Sequence, residues 1–351
     1  MYKRQGQHLL EVDDLKMYFH TEDGVVRAVD GVSYTLDRGE TLGVVGESGS
    51  GKSVTAMTIM GLISMPPGKI EGGDVRYRGR SILEMTEEEM QHIRGNDIAM
   101  IFQDPMTSLN PVYKIGKQVG EGLRLHRGYS KQEALKRATE LLDLVGIPEP
   151  EKRVNEYPHQ FSGGMRQRVM IAMALACDPD ILIADEPTTA LDVTIQAQII
   201  ELMQEMQEKN GNAIIMITHD LGVVADMADK IMVMYAGRPV EFGTAEEIFY
   251  ESRHPYTWGL IRSIPEQAIE EKKPLTPIHG NPPSLMNLPE GCVFSPRCPY
   301  ATDKCRKQRP ERVVTESGHY SACHYSGDPE FLKNAPETSR TRKDSKKGGE
   351  A

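Results

Sequence analysis

Residues Gly46-Glu-Ser-Gly-Ser-Gly-Lys-Ser53 fit the pattern G-x-x-x-x-G-K-[ST]. This spacing suits the cradling of a polyphosphate. Glycine-rich backbone can bring a row of N–H groups close to phosphate oxygens, and a lysine can reach the β- and γ-phosphates. The candidate nucleotide-binding set is Gly46, Glu47, Ser48, Gly49, Ser50, Gly51, Lys52, Ser53 and Val54, with the Ser53 hydroxyl assigned to Mg²⁺. Ile181-Leu-Ile-Ala-Asp185-Glu186 is an apolar run ending in two carboxylates. Asp185 is assigned to Mg²⁺, directly or through water, and Glu186 to a water facing the γ-phosphate. Phosphoryl transfer needs little covalent help, so positioning a water and neutralising charge are most of the task.

Two further polar residues follow apolar runs. His219 comes after Ala213–Thr218 and reads as a γ-phosphate sensor. Gln103 comes after Ile98–Phe102 and reads as a contact to Mg²⁺ or to the attacking water. In Phe161-Ser-Gly-Gly-Met-Arg-Gln-Arg168, Ser162 is a good N-cap. Gly163 and Gly164 leave N–H groups open at a positive helix end, and Arg166 and Arg168 strengthen the reading of an anion site. One chain has no use for two phosphate cradles on one nucleotide, so a second copy or a partner is implied.

These residues need elements to place them. Thr41–Val45 is a short apolar, partly β-branched run before the glycine loop, and Val54–Leu62 after it lacks proline and reads as a helix. Strand, loop and helix is the context the motif requires. The first 45 residues alternate in the manner of β-strands. Lys131–Val145 and Gly163–Cys177 carry helical spacing, inside a helical insertion of about 105–178. Strands and helices then alternate from Ile181 to Tyr235, which implies a mainly parallel sheet with its ligand at the carboxyl ends of the strands. Beyond His254 the chain is proline-rich and irregular. From Lys333 it carries six basic and three acidic residues and reads as a disordered tail.

Composition sets bounds. The 351 residues are 39% hydrophobic and 26% charged, as expected for a globular protein. The net charge of −10 argues against nucleic acid as a partner. No apolar run approaches the roughly 18 residues of a spanning helix, and the N-terminus lacks the apolar core of a signal peptide.

The order of motifs carries a resemblance. Gly46–Ser53, Gln103, Phe161-Ser-Gly-Gly164, Leu182-Ile-Ala-Asp-Glu-Pro-Thr-Thr-Ala-Leu-Asp192 and His219 occur as in ATP-binding subunits of ABC transporters. That resemblance covers roughly residues 9 to 250. It implies an α/β P-loop NTPase fold, the ABC nucleotide-binding domain, with an N-terminal antiparallel β subdomain, a helical insertion and a small irregular C-terminal module. It divides the chain into an ATPase domain at 1–253, a C-terminal module at 254–332 and a tail at 333–351. It also implies ATP and Mg²⁺ as cofactors, held in a nucleotide-sandwich dimer. Lys52 and Ser53 of one subunit grip the ATP that Ser162, Gly163 and Gly164 of the other cover, and Asp192 lies in the loop crossing the dimer. Phe19, four residues after Leu15, fits the aromatic that stacks on adenine, with Tyr18 as runner-up. Glu186 becomes the catalytic base and His219 the switch residue.

The signature departs from Leu-Ser-Gly-Gly-Gln by having Phe161 and Met165 at its ends. That variant resembles the oligopeptide/dipeptide permease branch. His254–Pro265 and Gly291–Pro299 resemble the extension that this branch carries. The implied function is ATP-driven import of dipeptides or oligopeptides. The implied partners are a paralogous second ATPase subunit, two transmembrane permeases and an extracellular solute-binding protein, and the implied place is the cytoplasmic face of the membrane. Nickel importers share the His254-Pro-Tyr-Thr stretch, so nickel or another small solute is the alternative cargo. A soluble ABC ATPase of DNA repair or translation is a rival, disfavoured because neither a long coiled coil nor a fused second cassette is visible.

Of five cysteines, Cys177 sits in an apolar stretch and reads as a small buried hydrophobe. Cys292, Cys298, Cys305 and Cys323 are spaced C-x5-C-x6-C-x17-C. Clustered cysteines in a cytosolic chain point to metal rather than disulfide. No C-x₂₋₄-C pair occurs, and the Cys298-Pro299 step suits an iron–sulfur cluster better than structural zinc. Resemblance to dipeptide-type members implies [4Fe–4S]. Zinc, with His319 and His324 flanking Cys323, and free thiols are the alternatives.

Overall fold

The computed structural model describes residues 8–104, 108–187, 193–225, 227–264 and 278–336. Asp192 and the tail beyond residue 336 lie outside them, as do Pro105 to Thr107.

The first two strands are long and antiparallel, β1 at Leu10–Thr21 and β2 at Gly24–Leu36. β4 (Gly68–Tyr77) and β5 (Arg80–Ser81) join them in a four-stranded sheet of order β2-β1-β4-β5. The antiparallel N-terminal β unit expected from sequence is therefore present. The remaining strands are β3 (Thr41–Val45), β6 (Ile98–Ile101), β7 (Ile181–Asp185), β8 (Ala213–Thr218), β9 (Lys230–Tyr235), β10 (Arg238–Thr244), β11 (Val313–Val314) and β12 (Tyr320–Ser321). They form one sheet of order β11-β12-β10-β9-β3-β8-β7-β6. Its centre, β9-β3-β8-β7-β6, is parallel.

A parallel sheet is covered on both faces and its strands read as unbroken apolar runs. β3, β7 and β8 are buried at every residue. Alternate side chains enter two different cores. Ile181, Ile183, Ile215 and Ile217 join Leu15, Met17 and Ile59 on one face. Leu182, Ala184, Ile214 and Met216 join Leu142, Val169 and Ile171 on the other. Burying each such aliphatic side chain is worth about 1.5–3 kcal/mol relative to exposure, so the sheet is pinned from both sides.

Between β6 and β7 the chain is helical, at Ile115–Val119, Glu121–His126, Lys131–Leu144, Pro150–Arg153 and Gly163–Leu175. Lys131–Leu144 starts on a capping box, with Ser130 accepting from the Glu133 N–H and the Glu133 carboxylate returning to the Ser130 N–H.

The C-terminal stretch does not hang free of the sheet. β12 pairs with β10 through Glu241↔Ser321 and Phe242↔Tyr320, and β11 pairs with β12. Tyr256, Leu260, Ile261, Val293 and Phe294 belong to the same core as the helical insertion.

Candidate active site

Register brings the site together. Val45 pairs with Thr218, Asp185 with Ile217 and Ile101 with Ala184. Four neighbouring parallel strands thus end side by side, and the residues just past those ends are Gly46, Glu186, His219 and Gln103. This is the carboxyl edge where parallel sheets bind ligands.

The phosphate loop joins β3 to the Lys52–Ile59 helix. Gly46 is at φ 153°, and a Cβ there would stand 2.2 Å from the Met234 carbonyl oxygen. Gly51 is at φ 100°, and its Cβ would meet the Ala28 carbonyl at 2.3 Å. These two contacts show why side chains are excluded there. Ser48 and Gly49 are exposed at the loop's mouth, whereas Ser50 is buried. The Lys52 ammonium is 5% exposed and donates to the carbonyls of Gly46 at 2.7 Å and Glu47 at 3.0 Å. Burial pulls its pKa down, opposed by Glu186, Asp185 and Glu47. Val54 is partly buried against the core shared with β1.

Ser53 Oγ donates to Asp185 Oδ1 at 3.0 Å. Asp185 is 4% exposed, and burial pushes its carboxyl above the ordinary range against the Ser53 hydrogen bond. Glu186 follows with φ 47°. A non-glycine residue in this left-handed region costs about 1–3 kcal/mol and persists where the surroundings enforce it. Here the Glu186 N–H donates to the Ile217 carbonyl at 2.9 Å, tying the turn to β8. Gln103 Nε2 donates to Glu186 Oε2 at 3.0 Å, and His219 Nδ1 stands 3.3 Å from Glu186 Oε1. Gln103, expected at Mg²⁺ or the attacking water, and His219, expected as a γ-phosphate sensor, therefore both meet the Glu186 carboxylate. For Mg²⁺ the donors are a hydroxyl, a carboxylate and an amide, all oxygen and all at one edge. This suits a hard cation that takes one or two carboxylates and completes its shell with substrate phosphates and water.

Ser162 caps the Gly163–Leu175 helix, its hydroxyl accepting from the Met165 N–H at 3.3 Å. Ser162 and Gly163 are exposed. The arginines of this motif, expected to strengthen an anion site, reach main-chain carbonyls. Arg166 Nε donates to the Pro158 carbonyl at 2.8 Å, and Arg168 Nη1 donates to the Gly146 carbonyl at 2.6 Å. Both cap main-chain carbonyls of the helical region. Phe19 is partly buried and, like Val54 and Met57, packs against the core shared with β1. Neighbouring strand residues face opposite sides, and the Tyr18 hydroxyl donates to Asp30 at 3.1 Å instead.

Sequence reasoning missed Gln167. It is fully buried in the signature helix and donates to the carbonyl of Pro187, next to Glu186. A glutamine among Val169, Met170 and Ile171 on a buried helix face was the available signal. Tyr256 and Arg297, which reach the phosphate loop from the C-terminal stretch, were missed as well.

Cys292, Cys298, Cys305 and Cys323 line one cavity of about 20 Å³ with His254, Phe294 and His324. All four are free thiols, and burial raises Cys298 to about 11 and Cys323 to about 12. Yet among the described residues no three Cys, His, Asp or Glu side chains are placed to hold a metal ion. The expected cluster or zinc centre is thus not supported by the arrangement. The two histidines offered to zinc have their Nε2 atoms engaged elsewhere, His319 on Glu241 at 3.0 Å and His324 on the Gln308 carbonyl at 2.9 Å.

Residues 29–189 match the ABC transporter family, and residues 240–305 match the C-terminal region of oligopeptide/dipeptide transporters. The oligopeptide transport ATP-binding protein OppD of Bacillus subtilis (strain 168) is 58% identical over 89% of this chain and 87% of its own. This chain is a member of the ABC transporter ATP-binding family, in its oligopeptide/dipeptide branch. The dipeptide transport ATP-binding protein DppD of Escherichia coli (strain K12) is 52% identical to this cassette over 91% of it and 97% of its own length. Among solved structures, the dimeric post-hydrolysis ATP-binding cassette MJ0796 bound to ADP and Pi covers 67% of the chain at TM-score 0.62 and 29% identity. CbiO1 from Clostridium perfringens covers 69% at TM-score 0.57 and 29% identity. Both align with most of their own length, 98% and 91%, so the ABC fold is shared whole. The cassette is an ATPase.

Proposed function

We propose that this cassette is the ATP-hydrolysing subunit of an importer of dipeptides or oligopeptides. The observation that carries the cargo is the match over residues 240–305, together with relatives at 50–58% identity named for peptide transport. No helix among the described residues is long and apolar enough to cross a membrane. The relatives are named transport ATP-binding proteins, and on this reading partner permeases carry the translocation. The cassette then works peripherally on the cytoplasmic face, fed through two permeases by an extracellular binding protein. The division near residue 254 stays a proposal, and β11 and β12 beyond it join the cassette's sheet through β10.

The residues divide the labour. The loop N–H groups and Lys52 bind and orient the phosphates, and Phe19 stacks on the base. Ser53, Asp185 and Gln103 would hold Mg²⁺, which when bound would neutralise phosphate charge. The Glu186 carboxylate takes a proton from the attacking water, while Gln103 and His219 orient that carboxylate. Exposed Ser162 and Gly163, with half-buried Gly164 beside them, meet the nucleotide of a second cassette, and Asp192 serves the crossing loop. That second cassette is a paralogue.

For the thiols we retain an iron–sulfur reading over zinc. Four cysteine sulfurs share one cavity with His254 and His324, and the Nε2 atoms of His319 and His324 are already bonded. As folded, about 20 Å³ has room for about one water. No step of hydrolysis runs through it. Iron and sulfide assay after anaerobic purification decides the point, and a colourless protein lacking both ends the reading.

The cargo is tested in vesicles carrying the cognate permeases. ATPase stimulation by peptide-loaded binding protein supports the proposal. Stimulation by metal-loaded binding protein alone overturns it.

A further inference from the structure

The C-terminal stretch grips the second residue of the phosphate loop. Arg297 donates to both oxygens of Glu47, Nη1 to Oε2 at 2.5 Å and Nη2 to Oε1 at 3.0 Å. The guanidinium is itself immobilised. Its Nε donates to the His279 carbonyl at 2.9 Å, Nη2 to the Ile278 carbonyl at 3.1 Å, and Nη1 to the Tyr235 hydroxyl at 3.3 Å. The Arg297 side chain is 4% exposed, against 31% for Glu47. A second hold comes from Tyr256, fully buried, whose hydroxyl accepts the Glu47 backbone N–H at 2.8 Å. Tyr235, Tyr256 and Phe294 form a mutual aromatic cluster beneath, with ring centroids 4.6–5.3 Å apart. Bidentate arginine–carboxylate pairs fix direction as well as distance.

We infer that Arg297, with Tyr256, is a positioning residue for ATP: it holds Glu47 and so sets the phosphate loop in its nucleotide-ready form. The physical reason is ordering entropy. A loop already fixed at its second residue loses less freedom when phosphate arrives, and that saving appears as affinity. Lys52 depends on the same residue, since the Glu47 carbonyl accepts from its ammonium. The loop is thus held from a segment outside the nucleotide-binding motifs. This inference rests on the ATPase reading.

The test is equilibrium binding of Mg-ATP to the full-length chain, with thermal melting alongside. Arg297→Gln should weaken ATP binding about 5- to 30-fold, a loss of about 1–2 kcal/mol, at unchanged binding stoichiometry. Arg297→Lys, which keeps one charged donor, should recover part of the loss. Glu47→Gln should weaken binding similarly, and the Glu47→Gln/Arg297→Gln double variant should be no worse than Arg297→Gln alone. A merely structural role would lower the fraction of active protein without moving affinity. Arg297→Gln binding within twofold of wild type, or two additive single effects, overturns the inference. If Arg297→Gln does not fold, Glu47→Gln and Arg297→Lys decide, and wild-type affinity in both refutes it. Failure of wild type to bind Mg-ATP would refute the ATPase reading instead, so the two failures are distinct.

Discussion

Ser53 Oγ donates to Asp185 Oδ1 across 3.0 Å, joining residues 132 apart in sequence. One comes from the phosphate loop and the other from the end of β7. On the reading proposed above, these two oxygens are the pair that would take a divalent cation, and the hydrogen bond already holds them together.

Ser53→Ala should therefore raise the Mg²⁺ concentration for half-maximal ATPase activity about tenfold, or about 1.4 kcal/mol. Asp185→Asn should raise it further, because it removes the charged ligand. A magnesium titration at saturating ATP checks both, and an unchanged midpoint for Ser53→Ala removes that residue from the site.

Glu186 is the acceptor of the Gln103 hydrogen bond and lies 3.3 Å from His219. Glu186→Gln should keep ATP affinity within about twofold and lower kcat by about 10²–10⁴, the usual worth of a general base. His219→Ala should lower kcat with little change in affinity. Near-normal turnover in the Glu186 variant would refute its role.

Acid should destabilise the chain through His254. Its ring is 1% exposed, and Nδ1 accepts the Tyr256 N–H. Burial lowers its pKa from 6.5 to about 3, against a hydrogen bond to Ala322. Folding thus favours the neutral ring. Its contribution is complete above pH about 6.5 and is lost as pH falls towards 3, at about 1.4 kcal/mol per unit. Chemical denaturation between pH 4 and 7 should show this slope. His254→Asn keeps a cap acceptor and should flatten the slope, while an equal slope in that variant would exclude His254 as its source.

Cys298 and Cys323 should alkylate slowly. Burial holds them near 11 and 12, so at pH 8 about one thiol in a thousand or fewer is ionised. Iodoacetamide labelling read by peptide mass should be at least about 100-fold slower than in the unfolded chain. Fast labelling of the native protein would show that the cavity is open.

Much of the site was legible before any fold was known. Gly46–Ser53, Asp185, Glu186, His219 and Gln103 each follow an apolar run, and chemistry at the end of a buried strand leaves a sharp local pattern. The carbonyl partners of Arg166 and Arg168 were not legible, because charge near a helix start suggests an anion. Which carbonyls lie within reach is a matter of packing. Gln167, Tyr256 and Arg297 were missed for the same reason: nothing within a few residues of them indicates a partner 20 to 250 positions away.

By itself the sequence determined the nucleotide chemistry and the parallel order of elements, because both depend on local spacing and on alternating burial. Only the tertiary structure decided that Gln103 and His219 converge on one carboxylate, since that depends on which strands lie side by side. It also decided that the C-terminal stretch reaches back to hold Glu47. And it placed four cysteines around one cavity without making a ligand set of them. Such outcomes turn on ångström distances between segments remote in sequence, which composition and spacing do not encode.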